Sequence, residues 1–81
     1  MKKQEVIPTH EYGIYYSESV EFYSRPDYRK FDYFWKYMDD EGELHSGIKT
    51  IYILGSVLDL LKLINHWNRM SDNFVYWTDE I

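Results

Sequence analysis

The alternation of apolar and polar positions is clearest from Phe31 to Met38, where five of eight residues are aromatic. In a strand, alternate side chains point to opposite faces. One face of this strand would carry Phe31, Tyr33, Trp35 and Tyr37, and the other would carry Asp32, Phe34, Lys36 and Met38. Both faces hold apolar bulk. One face can therefore pack on a core while the other contacts something else.

A helix is the alternative for this part of the chain. Helical spacing also links Tyr28, Phe31, Phe34, Trp35 and Met38, and Ser24 with Asp27 resembles a capping box for a helix over 25–38. The high aromatic content favours a strand, and so does the acidic, glycine-containing turn that follows at 39–43. We predict the strand and leave the helix open as the second interpretation.

Shorter alternating runs predict further strands. We expect a strand at Tyr12–Tyr16 after a polar lead-in over 1–11, and another at Val20–Tyr23 with Val20 and Phe22 pointing inward. Pro26 then interrupts the sheet pattern because it cannot donate a backbone hydrogen bond.

The run from Glu43 to Leu54 returns from the acidic turn as a strand, with Gly47 marking a bulge or bend. Its continuous apolar end, 51–54, is typical of a central strand that is covered on both faces.

An amphipathic helix is predicted from Ser56 to Met70. Ser56 suits the N-cap, and Asp59 supplies an acid near the positive helix end. An apolar stripe at helical spacing is formed by Val57, Leu60, Leu61, Ile64 and Trp67, and Leu58 and Leu63 widen it. A last strand is expected at 74–78. The whole pattern predicts one α+β domain over 1–81, with an antiparallel sheet of four or five strands and one helix on one face.

Composition adds limits to this picture. The chain has 81 residues, 20% of them aromatic, and nine are tyrosines, a composition typical of a folded chain. It has no cysteine, which excludes disulfides and thiolate metal sites and suits a reducing compartment such as the cytoplasm. The sequence shows no apolar run long enough to span a membrane and no apolar signal-peptide core.

The charge distribution bears on partners. The net charge is −5, and all of it falls in residues 39–81, because acids and bases balance in 1–38. An acidic chain repels nucleic-acid phosphates but suits a basic protein surface. Single-strand binding would need base stacking on Tyr15, Tyr23, Tyr33 and Trp35 beside Arg25, Arg29 and Lys30, and we do not expect it.

Catalytic and metal-binding motifs are missing from the sequence. No serine lies in a nucleophile elbow, and the four glycines are isolated rather than grouped in a phosphate loop. The histidines His10, His45 and His66 lie in three different elements, although Glu43 and His45 share a strand face. The acidic turn does not have EF-hand spacing. We therefore expect no enzymatic activity, no cofactor and no metal.

Protein recognition is the remaining function class. Tyrosine and tryptophan are enriched at interfaces, and nearby acids would steer a basic partner. The helix would cover one face of Phe31–Met38, so we expect contact at the uncovered face and at the acidic tip. The candidate binding residues are Tyr33, Trp35, Tyr37, Asp39, Asp40, Glu41 and Glu43.

By compositional analogy, we expect a stoichiometric inhibitor of a host nucleic-acid-acting protein, such as phages and mobile elements encode. In that form the acidic residues would mimic nucleic-acid charge and block a basic groove. The alternative is a homo-oligomeric assembly protein that buries the aromatic sheet face or a strand edge.

Overall fold

The fold is a five-stranded antiparallel sheet with a helix packed across one face. The computed structural model describes residues 8–21 and 25–80. In chain order the elements are β1 Thr9–Glu11, β2 Ile14–Ser17, β3 Arg29–Met38, β4 Leu44–Ile53, α1 Val57–Met70 and β5 Phe74–Trp77. The strand order is β1-β2-β4-β3-β5, and every neighbouring pair is antiparallel. The predicted α+β fold is confirmed.

The core lies between α1 and one part of the sheet. We call the sheet face under α1 the inner face and the opposite one the outer face. The buried side chains of the core cluster are Ile14, Tyr33, Ile51, Ile53, Leu60, Leu63 and Ile64. Trp35 and Tyr37 lie on the inner face of β3 beyond this cluster, and they are only half-buried. The helix therefore leaves open the end of the inner face that lies nearest the turn between β3 and β4.

Strand β3 settles the choice between helix and strand for 25–38. It pairs with β4 over ten residues, from Arg29 opposite Ile53 to Met38 opposite Leu44, and with β5 on its other side. Two hydrogen-bonded neighbours and many aromatic side chains both favour extended backbone. The helical interpretation was wrong.

Gly47 does not mark the bulge that we expected. The pairing of β3 with β4 runs through it without an extra residue, and Gly47 lies opposite Trp35. A Cβ on Gly47 would lie 2.7 Å from Cζ2 of the Trp35 indole. The missing side chain therefore makes room for a ring that lies across the strand.

The predicted strand at Tyr12–Tyr16 is a hairpin instead. Tyr12 and Gly13 have positive φ angles of 55° and 78°, which is the backbone of a two-residue hairpin turn. Part of the expected polar lead-in forms β1, and β2 begins only at Ile14. The Tyr-Gly pair is not a strong turn signal, so alternation alone placed the strand too early.

Glu11 ties this hairpin to the helix. Its Oε2 accepts hydrogen bonds from Tyr16 Oη at 2.7 Å and from Trp67 Nε1 at 2.9 Å. His66 Nε2 lies 3.5 Å from the other carboxylate oxygen. The hydrogen bonds from Trp67 and Tyr16, which favour the ionised form, hold the pKa of Glu11 below its usual value.

The predicted strand at Val20–Tyr23 is wrong where the structure describes it. Val20 and Glu21 lie in a 3₁₀ turn, and Val20 is exposed rather than inward. Ser17 Oγ accepts from the Ser19 amide, and Ser19 Oγ accepts from the Glu21 amide. These local bonds compete with strand pairing and bend the chain. Phe22 and Tyr23 lie outside the described residues.

The helix begins where the sequence predicted. Ser56 is the N-cap, its Oγ accepts from the Leu58 amide, and Asp59 Oδ2 accepts from the Ser56 amide at 2.8 Å. Leu63 is fully buried, whereas Leu58 is exposed, so the buried stripe widens on one flank. No helix among residues 8–21 and 25–80 combines the length and the apolar character needed to cross a membrane.

Candidate partner-binding site

An open groove lies on the inner face beside α1. It has a volume of about 420 Å³, and Glu18 and Lys49 contribute polar side chains to its lining. The rest of the lining consists of seven aromatic side chains from four elements, Tyr16, Tyr33, Trp35, Tyr37, Trp67, Phe74 and Tyr76. We call this the aromatic groove.

The rings of the aromatic groove contact one another in a continuous series. Trp67 meets Tyr33 at a centroid distance of 5.3 Å and Tyr76 at 5.5 Å. Further toward the tip, Phe74 stacks on Tyr37 at 4.5 Å. Ring pairs at these distances add stabilisation beyond burial alone. Contacts between neighbouring rings therefore hold the groove wall in place, and the groove itself stays open.

A polar cluster lies inside the groove. Tyr33 is 3% exposed, and its hydroxyl donates to Glu18 Oε1 at 2.6 Å. The other oxygen of Glu18 lies 3.6 Å from Lys49 Nζ. Burial and the Glu18 carboxylate raise the pKa of the Tyr33 phenol well above its usual value. Tyr33 is thus a neutral hydrogen-bond donor at physiological pH, and it forms the floor of the groove rather than its exposed rim.

At the β3–β4 tip, the four acids have different roles. Asp39 Oδ1 accepts hydrogen bonds from the Glu41 and Glu43 amides, both at 2.9 Å, so it fixes the turn. Its Oδ2 lies 2.8 Å from His45 Nε2. These contacts, His45 first, lower the pKa of Asp39. The other three acids, Asp40, Glu41 and Glu43, are exposed.

His45 connects the tip to the groove. Its ring stacks on Tyr37 at a centroid distance of 4.8 Å, and Tyr37 is part of the groove wall. The structure therefore places Trp35 and Tyr37 on the same side of the sheet as the turn-fixing Asp39 and next to the exposed acids. We expected the contact on the face that the helix does not cover. Instead, Tyr33, Trp35 and Tyr37 lie on the inner face beside α1, because alternation along β3 points them to the same side as the core. We call the aromatic groove together with the acidic tip the groove–tip surface.

Three potential metal ligands also meet at the tip. Asp39, Glu43 and His45 each offer one ligand atom, and these atoms lie within 4.8 Å of one another. Sequence spacing suggested the pair Glu43 and His45 and considered Asp39 only as part of the acidic turn. Both oxygens of Asp39 already hold hydrogen bonds, so a cation would have to replace the contact with His45.

No protein-family model, curated protein or solved structure matches this chain.

The outer face differs from the inner one. Strand pairing places an apolar row, Ile48, Phe34 and Trp77, across β4, β3 and β5. Ile48 is 59% exposed, and Trp77, whose ring stacks on Phe34 at 5.4 Å, is 38% exposed. Met38, Leu44 and Val75 extend this exposed apolar face. No element among the described residues covers this part of it.

Rings that were considered for base stacking do not share a surface. Tyr33 and Trp35 line the groove on the inner face, whereas Tyr15 alternates with the core residue Ile14 and points to the outer face. Tyr23 lies outside the described residues. A stacking platform needs successive rings along one surface. Among the described residues, this geometry does not favour single-strand binding.

Sequence reasoning found part of the groove–tip surface and missed the rest. It named Tyr33, Trp35 and Tyr37 from one strand, but the groove also depends on Trp67, Tyr76 and other distant residues. Trp67 was recognised only as part of the helix stripe. Its place in the groove depends on where α1 crosses the sheet, which periodicity does not specify.

Proposed function

We propose that this protein is a non-enzymatic protein-binding module that takes a basic segment of a partner protein along the groove–tip surface. The observation that carries the proposal is the aromatic groove, an open cavity of about 420 Å³ that leads to an acidic hairpin tip. Pockets of this size and lining accommodate side chains of a ligand or partner.

The chemistry of the surface suits arginine-rich and lysine-rich segments. Guanidinium and ammonium groups bind favourably over tyrosine and tryptophan rings. Asp40, Glu41 and Glu43 are exposed at the end of the groove and would attract such groups over longer distances. Because the net charge is −5, the whole chain would also favour approach of a basic partner.

In its specific form, the proposal is a stoichiometric inhibitor of a nucleic-acid-acting protein. The exposed tip acids would enter the basic groove that normally holds phosphates, and the rings would supply the apolar contact area. This form predicts that nucleic acid and the present protein compete for the same partner surface. Affinity should also fall as salt is raised, because the attraction between surface charges is screened.

The test is affinity capture from a lysate of the native host, followed by mass spectrometry and a binding titration with the captured protein. In the tip variant, Asp40, Glu41 and Glu43 become Asn, Gln and Gln. The control removes two charges, at Glu21 and Asp27, which are exposed and lie away from the tip and from the outer-face row. A third variant, Tyr37→Ala, opens the groove wall.

We expect the control to bind like the unmodified protein, and the tip and groove variants to bind at least about tenfold more weakly. The salt dependence should be shallower for the tip variant alone. Equal capture by all four proteins would refute the proposal, and so would loss of binding in the control to the same extent as in the tip variant.

A further inference from the structure

The outer face of the sheet has a pattern of apolar and charged residues that fits a second copy of itself. Its centre is the apolar row Ile48, Phe34 and Trp77, which crosses three strands. Lys36 lies two residues along β3 on one side of this row, and Asp32 lies two residues along on the other side. Opposite charges are thus placed at equal distances from an apolar line.

We propose that the protein forms a two-fold symmetric dimer through this outer face, with the two-fold axis along the row. Rotation about that axis reverses the strand direction and lays each apolar row on its counterpart. Lys36 of one copy then faces Asp32 of the other, and the same contact is repeated by symmetry. An axis along β3 would instead place Lys36 over Lys36, which like-charge repulsion disfavours.

A hollow in the outer face fits this arrangement. It has a volume of about 210 Å³, and it is lined by Asp32, Phe34, Ile48, Asp79 and Glu80. Three of these five residues are acids, so the hollow suits the ammonium group of Lys36 from the second copy. In the single chain, the Lys36 ammonium lies over the Trp77 ring at 5.6 Å, pointing along the outer face.

The flanking positions on β4 also match. Thr50 pairs with Asp32 within the sheet, and Ser46 pairs with Lys36. The rotation that joins Lys36 to Asp32 therefore places Ser46 over Thr50, so two polar residues meet there. Exposed apolar surface is covered at the centre, where interfaces are most apolar.

The size of the face sets the expected strength. Three strands spaced about 4.8 Å apart and seven residues rising about 3.3 Å each give a patch of roughly 14 × 23 Å. This is smaller than a standard interface, which buries about 800 Å² per partner. We therefore expect a weak dimer, with both species visible in one concentration series.

Sedimentation velocity on the full chain, from about 5 to 500 μM, tests the proposal. We expect a monomer–dimer equilibrium in the unmodified protein. The Ile48→Lys variant, whose site is exposed, should weaken dimerisation by roughly 100-fold because two ammonium groups would meet on the axis. Tyr37→Ala on the inner face is the control and should leave it unchanged. Circular dichroism checks that each variant is folded.

Charge-reversal variants test the direction of the two-fold axis. Lys36→Glu alone and Asp32→Lys alone should each be monomeric, because each variant brings like charges together twice. A mixture of the two should form a heterodimer, because both contacts then join opposite charges. A monomer at every concentration would overturn the proposal. So would a dimer that is insensitive to Ile48→Lys, or a mixture that forms no heterodimer.

Discussion

The contact between Trp35 and Gly47 fixes the position of one ring in the groove wall, and a mutation at Gly47 can test it. Ala at position 47 would place a Cβ 2.7 Å from Cζ2 of Trp35. Carbon atoms prefer separations of about 3.5–4.0 Å, so the ring would have to move by about 1 Å. Overpacking costs about 1–3 kcal/mol, and replacing glycine in a strand returns about 0.5–1 kcal/mol. Since Trp35 is half-buried and can move toward solvent, we expect a net loss of about 1 kcal/mol.

Urea unfolding followed by circular dichroism measures this loss. The matched control is Ser46→Ala, an exposed position next to Gly47 that points to the outer face, with an expected change within about 0.5 kcal/mol. In a Trp35→Ala background the clash disappears, and Gly47→Ala should stabilise the protein by about 0.5–1 kcal/mol. The coupling between the two sites should then be about 1.5–2 kcal/mol. Destabilisation by Gly47→Ala of the same size in both backgrounds would refute the contact.

Three further predictions concern the elements that hold the groove in place. Glu11→Gln should cost about 1–2 kcal/mol in urea unfolding at pH 7, since charged hydrogen bonds to Trp67 and Tyr16 are weakened. The folded-state pKa of Glu11 is lowered, so its contribution is present above the unfolded value near 4.5 and is lost as pH falls through the folded value. Acid unfolding curves of the variant should lack this component, and identical curves would count against it. Ser56→Ala should cost about 1 kcal/mol by removing the N-cap of α1, and amide exchange in the first turn of the helix should become faster. Ser71→Ala, after the other end of the helix, should leave amide exchange in the first turn unchanged. The folded-state pKa of Tyr33 is raised, so the protonated phenol contributes to stability. This contribution is fully present below the unfolded pKa near 10, and it is lost as pH rises through the folded pKa. An absorbance titration of the folded protein should therefore show a phenol that ionises well above pH 10, and the Tyr33→Phe variant should lack this ionisation. Ionisation of every tyrosine near pH 10 in the folded state would contradict this prediction.

Local patterns were sufficient to predict the elements that bear the groove–tip surface. The aromatic alternation of Phe31–Met38 and the acidic turn after it predicted one hairpin, and Ser56 with Asp59 predicted the start of the helix. In these segments, side-chain chemistry and backbone preference favour the same conformation.

The position of Gly47 was also available from the sequence, although we interpreted it differently. If Met38 pairs with Leu44 across the acidic turn, counting back three pairs places Trp35 opposite Gly47. The missing step was to use the register set by the turn.

Long-range arrangement could not be derived in the same way. Trp67 and Tyr76 reach the groove because α1 crosses the sheet at a particular place and β5 pairs with β3, and no local signal specifies either. The β1–β2 hairpin was missed because Tyr12 adopts a left-handed conformation that residues of its type seldom adopt.

The three tryptophans report directly on whether the groove–tip surface binds the partner. Trp35 and Trp67 line the groove, whereas Trp77 lies on the outer face, so their indole N–H signals in a proton–nitrogen NMR spectrum report on separate surfaces. When the captured partner is titrated into dilute protein, we expect the Trp35 and Trp67 signals to shift while that of Trp77 keeps its position. A shift of Trp77 alone would contradict it.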